Sequence, residues 1–204
     1  TFYPSRLEYD DYLRWAPGHF AEQCSYGEEV VRIEPERHGG AITRVRVVCA
    51  DAAGREHVRG ARAIALPTGG TPRIPEVFAG LRGDARLCHH SGYLDWIGRQ
   101  PCASGKPMRI AVIGAGQSAA EAFIDLHDSY PGVKADLIVR GAALKPADDS
   151  PFVNEIFAPA YTDVVYEQAQ AGRDRLIQEY LNTNYSVIDA DLIERIYALL
   201  YRQK

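Results

Sequence analysis

Residues Arg109–Glu121 read RIAVIGAGQSAAE, and this stretch decides the fold. Ile110, Ala111, Val112 and Ile113 form an unbroken apolar run, the pattern of a strand buried on both faces. The run leads into Gly114-Ala115-Gly116 and then Gln117-Ser118-Ala119-Ala120, a glycine turn followed by a helix start. At such a junction an anion meets free backbone N–H groups and the positive end of a helix dipole. Gly114 permits the tight turn, Gly116 lets a pyrophosphate approach the backbone, and Ala119 stands where a third small residue allows close helix–strand packing. With a strand before it and a helix after it, a weak glycine pattern becomes a dinucleotide-binding signal. A tight turn in an ordinary α/β domain is the competing reading.

Toward the C-terminus, the helix expected over Ser118–Ser129 stops at Pro131-Gly132, and Ala135–Val139 reads as a second, parallel strand. In an NAD site that strand tends to end in an acid that binds the ribose hydroxyl. Here it ends in Arg140, and Asp136 stands at the strand's start, the wrong end for the ribose. A guanidinium can grip a phosphate bidentately, so the sequence favours NADPH over NADH. Lys145 is a second, weaker candidate for the same phosphate, and a surface arginine at a strand end is the alternative.

Toward the N-terminus the pattern changes. Leu7, Tyr9, Tyr12, Leu13 and Ala16 recur at helical spacing, with Pro17-Gly18 as a stop. Glu28–Glu34, Ile42–Cys49 and Glu56–Leu66 read as three strands joined by short turns, an antiparallel meander. Pro67-Thr68-Gly69-Gly70-Thr71-Pro72-Arg73-Ile74-Pro75 is the best boundary candidate. It reads as a loop, although its glycines could also admit a cofactor to the backbone. The fold class expected is therefore α/β: a meander-containing domain over residues 1–75 and a Rossmann-like dinucleotide domain over residues 76–204.

Two later segments carry dense polar residues. In ADDSPFVNEIFAP, Asp148, Asp149 or Ser150 can cap a short helix that starts at Pro151. Asn154 falls inside that helix and either faces solvent or holds a ligand. In LNTNYSVI, Asn182, Thr183 and Asn184 follow a polar helix over Arg173–Tyr180 and read as a helix end or turn. A last helix is expected over Asp189–Tyr201. The adjacent His89 and His90 have no third ligand at a metal-site spacing, and Cys24, Cys49, Cys88 and Cys102 form no C-x-x-C pair, so no metal site is expected. Scattered cysteines fit a reducing cytoplasm. A net charge of −4 over 204 residues argues against a nucleic-acid partner. No apolar run reaches membrane-spanning length.

Taken together, GAGQSAAE, LPTGGTPRIP, KPADDSPFVNEIFAPAYTD, NTNYSVID and the opening FYPSRLEYDDYLRWA resemble the flavin-dependent N-hydroxylating monooxygenases, most nearly those acting on ornithine in siderophore biosynthesis. The resemblance implies two Rossmann-like domains, for FAD and NADPH, and oxygen transfer from a flavin hydroperoxide to the side-chain amine of L-ornithine, with molecular oxygen as co-substrate. It implies Gly114, Gly116, Gln117 and Ser118 along the NADPH pyrophosphate, Arg140 at the adenosine phosphate, and Thr68 and Gly69 at the flavin. It places Asn154 and Asn184 at the substrate, Asn184 also beside the reacting centre. Pro67 departs from the alanine that the family more often has there. The flavin fingerprint and the substrate-contacting lysine that the family carries earlier have no counterpart before residue 109, so the chain reads as an internal piece, inactive alone. A lysine or diamine hydroxylase and a non-catalytic NADP-binding module are the alternatives. Exposed apolar surface on such a piece would favour homo-oligomers.

Overall fold

The computed structural model describes residues 4–202, without the side chains of Asn182 and Asn184. The chain divides into two compact units, Thr1–Gly70 and Thr71–Lys204.

In the first unit, helix α1 (Arg6–Gly18) starts at a capping box: Ser5 Oγ accepts from Glu8 N–H at 3.3 Å and Glu8 Oε2 accepts from Ser5 N–H at 2.6 Å. Pro17 lies inside its last turn rather than ending it, and no residue of the helix is buried. The strands β1 (Glu29–His38), β2 (Ala41–Ala50) and β3 (Glu56–Ala61) pair in that order, all antiparallel. Gly39 and Gly40, with φ of 58° and 85°, make the two-residue turn between β1 and β2, a conformation that glycine adopts without strain. Val48 and Cys49, consecutive on β2, are both buried, so the middle strand is covered on both faces at that point. The third strand is shorter than its sequence suggests. It ends at Ala61, and the apolar run Ala63–Leu66 lies beyond it without regular structure.

The second unit is built on the expected strand–turn–helix–strand. β4 (Met108–Ile113) and β5 (Val133–Ile138) pair in parallel, in register from Met108↔Val133 to Ile113↔Ile138. Helix α3 (Gln117–Ser129) connects them and packs two ways. Ala120, Phe123 and Ile124 meet Ile188 and Ile196, the latter on α7 (Ala190–Arg202). Leu126 meets Ile97 of α2 (Tyr93–Ile97), Cys102 and Ile110. The remaining helices are α4 (Pro151–Glu155), α5 (Pro159–Glu167) and α6 (Gln170–Asn184). α6 runs through Asn182 and Asn184 instead of stopping near Tyr180. No helix among the described residues is long and apolar enough to cross a membrane.

Candidate dinucleotide-binding site

The turn after β4 has the geometry its residue types demand. Gly114 adopts φ 154°, and a Cβ built on it would lie 3.0 Å from Ala119 Cβ. That is tighter than ordinary carbon–carbon contact, so the small residues at 114 and 119 let the helix close onto the strand. Gly116 differs. Its φ of −110° suits any residue, and a Cβ there would find nothing nearer than Ser186 Cα at 3.7 Å. Nothing among the described residues requires glycine at 116, and the space beside its backbone is open to a ligand's close approach. Gly116 caps α3 without a side-chain bond, and among the described residues the N–H groups of Gln117 and Ser118 have no hydrogen-bond partner. Free donors at the positive end of a thirteen-residue helix fit a pyrophosphate.

Arg140 is exposed and lies two residues beyond β5, on the side where β4 runs into the glycine turn. Asp136 sits in the middle of β5 rather than at its start. Arg109 Nε donates to its Oδ2 at 2.7 Å, and that guanidinium holds the Asp136 carboxyl below the usual range. The carboxyl is thus already paired within the sheet. Lys145 is also exposed, and its backbone carbonyl is used structurally.

That use of Lys145 joins the two polar segments. Ile188 N–H donates to Lys145 O at 2.9 Å and Ala147 N–H donates to Ile188 O at 2.9 Å, a parallel bridge between Pro146 and Ile188. The chain on either side of it leads to Asn154 and to Asn184. Ser150 stands at the N-cap of α4 with Pro151 at its first position, but its side chain makes no cap bond; Asp148 Oδ1 instead accepts from Ser150 N–H at 3.0 Å. Asn154 is exposed, and its Nδ2 donates to Asp149 O at 2.9 Å, which fixes the amide while Oδ1 has no partner among the described residues. Asn184 closes α6, and its side chain lies outside the described residues. Two residues on, Ser186 has φ 61°, the one non-glycine residue in the left-handed region among those described, with its backbone against Gly116. Strain of this kind concentrates at functional sites.

Three features escaped the sequence reading. Gln117 is bonded to Asp189 and Glu121; only its spacing of four residues from Glu121 on a helix is a sequence signal. The bridge from Pro146 to Ile188 left none. In the first unit Glu28, Cys49 and His57 bring three potential metal-binding atoms within 4.8 Å of one another. Arg59 donates to both oxygens of Glu28, and its guanidinium holds that carboxyl below the usual range, so a fixed cation already satisfies the group a metal would need. Thr68 and Gly69 lie on the exposed segment without regular structure, and nothing stands within 4 Å of a Cβ built on Gly69. His89 and His90 are on no strand; their rings lie 4.2 Å apart, and His89 Nδ1 is 2.9 Å from Ser91 Oγ.

A family model described as L-lysine 6-monooxygenase/L-ornithine 5-monooxygenase matches residues 1–204. The chain is 62% identical over 204 residues to the L-ornithine N(5)-monooxygenase of Pseudomonas aeruginosa, covering 100% of this chain and 46% of that protein. It superposes on an ornithine hydroxylase structure from Pseudomonas aeruginosa with a TM-score of 0.88 at 59% identity, over 100% of this chain and 48% of the other. The ornithine N-hydroxylase of Kutzneria sp. 744, with reduced FAD, NADP⁺ and L-ornithine, matches with a TM-score of 0.85 at 34% identity, over 99% of this chain and 47% of the other. The chain spans about half the length of the curated relatives it matches.

Proposed function

The chain belongs to the L-lysine 6-monooxygenase/L-ornithine 5-monooxygenase family, and on that premise we propose that it forms part of an FAD- and NADPH-dependent enzyme. That enzyme hydroxylates the side-chain amine of L-ornithine with molecular oxygen, for hydroxamate siderophore biosynthesis. Residues 1–75 belong to its FAD domain and residues 76–204 to its NADPH domain. The observation that carries the reading is the bridge between Pro146 and Ile188, which stitches the two asparagine-bearing segments together beside the dinucleotide turn.

In this reading Gly114 and Gly116 shape the turn, and the N–H groups of Gln117 and Ser118 donate to the pyrophosphate. Arg140 takes the 2′-phosphate as a bidentate donor. Asn154 and Asn184 offer amides that both donate and accept, suited to a zwitterionic amino acid. Asn184 also serves as the catalytic residue, holding the amine at the reacting centre. Thr68 and Gly69 are assigned to the flavin by likeness alone. Bound FAD supplies the oxygen-activating redox chemistry. The protein's task is to bind, orient and keep water away, which accounts for a site without a nucleophile–base pair.

The test is an amine panel on the intact protein. L-ornithine, L-lysine and putrescine are compared by hydroxylated product rather than by NADPH consumption, because peroxide leakage also consumes NADPH. Ornithine turnover is expected to exceed the other two. Preferential turnover of lysine or putrescine overturns the substrate assignment, and absence of product with every amine overturns the catalytic one.

A further inference from the structure

Gln117 opens α3, and its side chain turns away from the dinucleotide turn toward the start of α7. Its Oε1 accepts from Asp189 N–H at 2.8 Å, and its Nε2 donates to Asp189 Oδ2 at 2.9 Å and to Glu121 Oε1 at 2.9 Å. Both amide hydrogens and one carbonyl lone pair are thus committed. Charge-assisted bonds to two carboxylates are stronger than neutral ones. The same amide stands between two negative side chains and a turn built for a polyanion.

The residue it holds is not isolated. Asp189 follows Ile188, which is buried at 1% exposure in the core between α3 and α7. Ile188 is bonded on both sides to the Lys145–Ala147 segment. Two residues further on, Asp149 O accepts from Asn154 Nδ2 at 2.9 Å. In the other direction, Ser186 leads back from the same segment to Asn184. One glutamine side chain therefore ties the start of α3 to the segment beside Gly116, which the bridge joins to the segment that carries Asn154.

We propose that Gln117 is a positioning residue: its backbone N–H faces the dinucleotide, while its side chain clasps Asp189 and so registers both substrate-side asparagines against the nucleotide turn. This rests on the function proposed above and assigns Gln117 an effect on ornithine binding that a phosphate contact would not have. In sequence Gln117 belongs to the nucleotide turn; by its bonds it belongs equally to the substrate segments.

The test uses the intact, FAD-loaded enzyme. Gln117→Leu removes every bond of the clasp at similar volume. It is expected to raise the KM for ornithine about tenfold and to lower hydroxylated product per NADPH consumed, with the KM for NADPH changed less than about twofold. Gln117→Glu gives a second readout. Its carboxylate faces Asp189 and Glu121 and should raise the ornithine KM as Gln117→Leu does. Adding Asp189→Asn supplies a donor to that carboxylate, so the double variant should return the ornithine KM toward the wild-type value. This pair keeps the test alive should Gln117→Leu fail to fold. A raised NADPH KM with an unmoved ornithine KM, or no recovery in the double variant, overturns the clasp. Wild-type turnover in the same assay separates the two ideas. If wild type prefers another amine, the function reading falls and the clasp is scored with that amine instead.

Discussion

Gly114 and Gly116 stand two residues apart in one turn, yet the fold restricts only the first to glycine, and alanine substitution separates them. In Gly114→Ala the new methyl would lie 3.0 Å from Ala119 Cβ, on a backbone with φ 154°. An unfavourable φ costs about 1–3 kcal/mol and overpacking about 1–3 kcal/mol more, so a loss of about 2–6 kcal/mol is expected. Ala119→Gly removes the facing methyl and should recover about 1 kcal/mol of that in a double-mutant cycle, leaving the φ strain in place. In Gly116→Ala the methyl meets only ordinary contacts, the nearest at 3.7 Å. Replacing glycine by alanine at a helix N-cap costs about 0.5–1 kcal/mol. The same methyl blocks a pyrophosphate, so NADPH affinity should fall at least about tenfold, or about 1.4 kcal/mol. Urea midpoints and NADPH titrations of the intact protein read both quantities. Wild-type stability in Gly114→Ala, or wild-type NADPH affinity in Gly116→Ala, would refute the reasoning.

Two further outcomes follow from the site's polar groups. Asn154→Ala in the intact protein should raise the ornithine KM about tenfold with flavin content unchanged, measured by product formation and flavin absorbance; loss of flavin would make Asn154 structural instead. Arg109 holds the Asp136 carboxyl low, and a depressed folded-state pKa stabilises at neutral pH. That contribution disappears as the pH falls through the lowered value, so an NMR titration of Asp136 should give a midpoint under the ordinary value of about 3.9, and Arg109→Ala should raise it.

The turn after β4 was legible because its signals are local: an apolar run, two glycines and a helical pattern within a dozen residues. The meander was legible for the same reason, from alternation and short turns. Where a boundary depends on a partner, the sequence falls short. Ala63–Leu66 has the composition of a strand but pairs with no strand among the described residues. α6 continues through Asn182, Thr183 and Asn184, although these residue types are weak helix formers, because propensity is only a weak prior. The Gln117 clasp spans 72 residues, and the grouping of Glu28, Cys49 and His57 comes from strand register. Neither leaves a periodic trace in the chain.

The central claim is that a 2′-phosphorylated dinucleotide lies across the Gly114 turn with its extra phosphate at Arg140. It is tested most directly by titrating wild type and Arg140→Ala of the intact protein with NADPH and with NADH. Loss of the guanidinium should weaken NADPH by about 1–3 kcal/mol and leave NADH nearly unchanged. An equal loss for both cofactors, or none for either, contradicts the account.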